Sequence, residues 1–112
     1  MELILDTIDD VHIGRVTGRL ETSVSEDFRG ALERVLRECP GPVVLDLEGV
    51  GFIASACLGA MVAFQQNLAP NQCLVISGLS VPIHKMFKVA SFDMIFQIAD
   101  STEEAVVLLN TP

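Results

Sequence analysis

Apolar residues along the chain follow two rhythms, short runs of strand length and longer stretches with helical spacing. Residues 1–20 carry two of the short runs. Leu3, Ile4 and Leu5 begin the first, Asp9 and Asp10 make a turn, and the second has Val11 and Ile13 on one parity, then Val16, Gly18 and Leu20 on the other. The switch of parity at Gly14 predicts a bulge or a twist there. Ser23 and Glu26 stand at capping-box spacing before Phe28. Phe28, Leu32, Val35 and Leu36 then share one helix face, while Arg29, Glu33 and Arg37 alternate in sign along the solvated side. Cys39, Pro40, Gly41 and Pro42 end that helix.

Residues 43–47 are apolar except for Asp46, the pattern of a central strand covered on both faces. A polar turn, 48–51, leads through small residues to a second helix over about 57–68. Cys57, Ala60, Met61, Phe64 and Leu68 lie on one face of it, widened by Leu58 and Val62. So apolar a helix is either deeply buried or partly offered to another protein. A turn at 69–71 precedes a buried strand at 73–76. Ser80 caps a third helix with Pro82 in its first turn and Ile83, Phe87 and Ala90 inside. Residues 94–98 read as the last strand, and Ser101 with Glu104 forms a second capping box before 106–109. The order ββαβαβαβα predicts one α/β domain over residues 1–112, with a mostly parallel sheet of about five strands and about four helices.

Charge and composition narrow the function. Seven Lys and Arg against fifteen Asp and Glu leave a net charge of −8, which disfavours nucleic acid as a partner. Mean hydropathy is high, +0.48, yet no apolar run reaches the ~18–20 residues of a membrane span. The acidic start MELILDTIDD lacks the basic region of a signal peptide. A cytoplasmic domain without membrane insertion is expected, with apolar surface available for a partner or a homodimer. Cys39, Cys57 and Cys73 are far apart, and His12 and His84 have no ligand spacing, so neither metal nor cofactor is expected. No Ser-His-Asp, paired-carboxylate or phosphate-loop constellation is present, which argues against an enzyme.

The densest chemistry lies where the strand turns into the second helix, at Ser55, Ala56 and Cys57. Ser55 has two readings, a phosphoacceptor or a cap for the helix amides. Cys57 also has two, a thiolate favoured by the helix dipole and open to ligand or redox sensing, or a small buried hydrophobe. Asp46 either helps a partner surface or bonds the loop backbone, and His84 reads as an exposed helix residue.

The segment VVLDLEGVGFIASACLG, residues 43–59, resembles the STAS domain, the anti-sigma factor antagonist family of bacterial regulators. Members have a hydrophobic strand ending in Asp or Asn, then Phe-Ile/Met-Asp-Ser-Ser/Thr-Gly-Leu-Gly entering a helix. The likeness extends to Gly18-Arg19-Leu20-Glu21, to Val75-Ile76-Ser77-Gly78-Leu79 ahead of Pro82, and to Asp100-Ser101 with Glu103-Glu104-Ala105. It implies the STAS fold and a non-enzymatic role, docking on an anti-sigma factor that is also a serine kinase. It further implies a switch in which phosphorylation of the second Ser/Thr of the turn blocks docking. In this chain Phe52, Ile53, Ser55, Leu58 and Gly59 agree with the pattern, whereas Ala54 replaces the Asp, Ala56 the phosphoacceptor and Cys57 the Gly. The switch is therefore not expected to operate at Ala56. The implied docking surface comprises Glu21, Thr22, Phe52, Ser55, Ala56, Cys57, Gly59 and Met61. STAS proteins also serve as accessory subunits of lipid-transporting ABC ATPases, a second partner class that the apolar helix fits equally.

Overall fold

Among the described residues, 1–111, the computed structural model contains five strands: β1 (Glu2–Ile8), β2 (Val11–Thr17), β3 (Pro42–Gly49), β4 (Cys73–Ser77) and β5 (Gln97–Ala99). Four α-helices accompany them, α1 (Ser25–Glu38), α2 (Ser55–Gln66), α3 (Val81–Val89) and α4 (Thr102–Asn110), with 3-10 turns at Thr22–Val24 and Phe92–Met94. The strands form one sheet in the order β1-β2-β3-β4-β5, antiparallel between β1 and β2 and parallel thereafter. This is the predicted α/β architecture.

The β1–β2 hairpin closes on two residues, Asp9 (φ 49°) and Asp10 (φ 66°), both left-handed. That conformation matches the twist of paired strands, and short acidic side chains tolerate it. Pairing runs without a slip from Glu2 opposite Thr17 to Ile8 opposite Val11, so there is no bulge at Gly14. The parity switch has another cause: β2 is covered on both faces, each mostly at a different end. Val11 and Ile13 pack with Val44, Val75, Ala105 and Val106 under α4. Val16 and Leu20 join Leu45, Leu47, Leu74 and Ile76 on the opposite face, beneath Phe28, Leu32, Val35, Cys57, Met61, Phe64 and Phe87 from α1, α2 and α3. The irregularity lies between β2 and β3, where the step from Arg15 to Thr17 faces the longer step from Asp46 to Gly49.

Four local expectations need correction. The capping box at Ser23 is not formed: the 3-10 turn runs directly into α1, leaving Val24 at the N-cap position without a side-chain bond. Ser80 precedes α3 but makes no capping bond either, whereas Ser101 Oγ accepts the Glu104 amide as expected. Ala90 lies past the end of α3 and is exposed. Residues 94–98 are not one strand. Phe92 and Phe96 anchor the chain in an aromatic cluster with Phe87, ring centroids 5.7–6.2 Å apart, and the intervening turn throws Met94 outward, 84 % exposed. Extended pairing with β4 is limited to the three residues of β5.

Candidate functional site

Beyond β3 the chain crosses the loop that follows β2. Leu20 and Ile53 form a short parallel bridge, with Leu20 N–H donating to Phe52 O at 2.9 Å and Ala54 N–H to Leu20 O at 2.7 Å. Gly18, at φ 99°, supplies the left-handed turn that brings the two loops together, and its N–H reaches Gly49 O. The result fixes residues 19–22 against residues 52–55, so Glu21, Thr22, Phe52 and Ser55, distant in sequence, sit in one exposed region.

Arg19 organises that region, and the sequence reading assigned it no role. Its guanidinium lies 4.6 Å from the centroid of the Phe52 ring, and its Nε donates to Glu21 Oε1 at 2.9 Å. One side chain thus orders both an aromatic ring and a carboxylate, although each partner is solvent-exposed and the pairing is individually weak. The signal is the Gly18-Arg19-Leu20-Glu21 segment, whose Gly, Leu and acidic positions carry the family likeness while the Arg has no part in it.

α2 begins two residues earlier than its apolar pattern suggests. Ala54 occupies the N-cap position in extended conformation, and nothing from a side chain accepts the first amides. Ser55 is the first helical residue, exposed, and does not cap the helix. Ala56 is half-buried beside it, a methyl group with no hydroxyl, and Gly59 is exposed one turn on, with open space where a side chain would stand.

Two residues expected at this surface point elsewhere. Met61 is fully buried in the core, and so is Cys57. The Cys57 thiol lies 3.6 Å from Glu21 O, toward which it donates, stitching α2 to the neighbouring loop. Burial pushes its pKa above the ordinary 9.0, the opposite of what a thiolate sensor requires. Desolvation first, then the charge of Glu38, raises Cys39 as well. Among the described residues no group of three or more His, Cys, Asp or Glu side chains gathers as metal ligands.

Beneath the turn lies a polar network that sequence order conceals. Asp46 is 5 % exposed. Its Oδ1 accepts the Glu48 amide at 2.9 Å, the loop-backbone bond expected for it. Its Oδ2 accepts from Arg15 Nη1 and from the Thr102 hydroxyl, each at 2.9 Å. Since the single Thr102 proton goes to Asp46, the Ser77 hydroxyl, 2.9 Å away, donates to Thr102. β2, β3 and α4 meet at this one carboxylate, and β4 joins them through Ser77.

The region combines a tight turn, an exposed ring and small residues at a helix start. Known proteins share the fold that carries it. Over 112 residues the chain is 29 % identical to BtrV of Bordetella bronchiseptica, assigned as an anti-sigma factor antagonist, covering 99 % of this chain and 97 % of that protein. The fold superposes on an anti-sigma factor antagonist from Mycobacterium paratuberculosis with a TM-score of 0.89 at 17 % identity, covering 98 % of this chain and 94 % of the other. It also superposes on a sulfate transporter family protein from Wolinella succinogenes, with a TM-score of 0.75 at 20 % identity and coverage of 93 % and 88 %. No helix among the described residues is long and apolar enough to cross a membrane. Residues 9–98 match the family model described as "Mlab, STAS domain", and the chain belongs to the STAS domain family.

Proposed function

We propose that this chain is a non-enzymatic docking module of the cytoplasm that binds an anti-sigma factor with serine kinase activity, and that it does so without a phosphorylation switch at the usual position. The observation that carries the reading is the turn itself: Phe52, Arg19, Glu21, Ser55 and Gly59 form an exposed, pre-ordered surface around a methyl group at position 56. A phosphate placed there adds about −1.5 to −2 charges to the interface, enough to turn docking into release. Ala56 cannot accept one, so the module stays in its binding form whatever the ATP supply. Similarity to BtrV supports the partner class.

The test is binding to the cognate kinase, with and without ATP. Equal affinity in both conditions, no phosphate on the chain by mass spectrometry, and ATP-dependent release of an A54D/A56S variant are the expected results. Release of the natural sequence with new phosphate on Ser55, the hydroxyl that this turn retains, overturns the reading. A second reading, an accessory subunit of a membrane transporter ATPase, draws on the Mlab description of the matching family and on the Wolinella transporter relative. Co-purification with an ATPase–permease pair in place of a kinase favours it.

A further inference from the structure

Two helices leave outward faces of the same design and opposite charge. On α3, Val81, Lys85, Lys88 and Val89 fall at i, i+4, i+7 and i+8, a single stripe. Val81 is 69 % and Val89 88 % exposed, and the two lysines are the only lysines in the chain. On α4, Glu103, Glu104, Val107 and Leu108 form the matching stripe, with Val107 64 % and Leu108 47 % exposed. Together with Ile98, Ala99 and Asp100 they line an open groove of about 500 Å³ between α4 and β5. Its lining joins apolar side chains to three carboxylates, Asp100, Glu103 and Glu104.

From this complementarity we infer that the chain associates with itself, the α3 stripe of one copy seating in the α4–β5 groove of another. Val81 and Val89 enter against Val107 and Leu108, while Lys85 and Lys88 meet Asp100 and Glu103. Charge selects this occupant: a net charge of −8 repels copies at most faces, and α3 carries the one lysine-bearing apolar stripe. α3 and α4 pack on opposite faces of the sheet, so the contact joins two different patches and each copy keeps one of each free. The docking turn takes no part, so the association is independent of partner binding there.

Sedimentation velocity of the full chain tests the inference. At low salt the mass is expected to rise above the 12.1 kDa monomer as concentration approaches about 1 mM, the weak end of specific affinity. It should return to monomer in about 1 M salt, where charge pairs are screened within about 3 Å. K85E/K88E and D100K/E103K are each expected to be monomeric, and their equimolar mixture to associate again, because the swapped charges complement. That restoration also certifies that both variants are folded. A natural chain that stays monomeric throughout overturns the inference. So does association that survives either charge reversal, or a mixture that fails to associate.

Discussion

A thiol at a helix start is drawn two ways, toward thiolate by the dipole and toward the neutral form by removal from water. At Cys57 burial prevails, and the proton is held toward Glu21 O. Native-state labelling near pH 7 should therefore modify the exposed Cys73 first and reach Cys57 and Cys39 only as fast as the protein unfolds. The same shift carries a sign for stability. A folded-state pKa above the unfolded value leaves the stabilisation intact below about 9 and loses it as pH rises through the folded value. Urea midpoints should fall between pH 8 and 10, and fall less in a C57A variant. Rapid labelling of Cys57 in the native state contradicts both expectations. At this scale the sequence was a mixed guide. Glu21, Thr22, Phe52 and Ser55, which the resemblance groups, lie in one exposed region, but a helical stripe cannot say how deep its axis lies, and Met61 and Cys57 are buried beneath it.

Element boundaries depend on a few atoms, and that is where the pattern of apolar residues gives least. α2 is recognisable from its spacing, yet its start is set by Ala54, whose extended backbone hands the chain from the Leu20–Ile53 bridge into the helix. A side chain that accepts no hydrogen bond at that point leaves α2 without the stabilisation most helices draw from their N-cap. Replacing Ala54 by Asp should raise stability by about 1 kcal/mol, read as a higher urea midpoint at unchanged slope. An unchanged or lower midpoint means that the backbone of the turn cannot present the carboxylate to the α2 amides. The stretch 94–98 departs from its pattern for a related reason: a run of Met, Ile, Phe and Ile fits a strand, but the edge-to-face contacts of Phe92 with Phe87 and Phe96 require a turn. Only contact between elements decides such a case.

For the molecule as a whole, the order of elements and the two-faced burial of β3 were readable, because alternation and helix spacing are local properties. Asp46 was not. Its partners Arg15 and Thr102 are 31 and 56 residues away, and no local pattern announces a carboxylate that joins β2, β3 and α4. Removing it takes one acceptor from the buried Thr102 hydroxyl, which keeps Ser77, one from the Glu48 amide, and one from Arg15, which keeps Asp6 at 3.8 Å. Asp46→Ala should cost about 2 kcal/mol, the scale of leaving buried donors short of a hydrogen bond, with Asp46→Asn milder since an amide oxygen still accepts. Chemical denaturation checks the ranking; a loss below about 0.5 kcal/mol, the range of ordinary surface changes, means that water replaces the network.

The coincidence of strand order with chain order has a consequence for biosynthesis. As the polypeptide leaves the ribosome, every new strand meets a ready edge, and none must be threaded between two already in place. The face of Val11, Ile13, Val44 and Val75 is completed only when the last helix docks over it. Until α4 emerges, a nascent chain exposes one apolar side of an otherwise finished sheet, and that interval is its greatest exposure to aggregation.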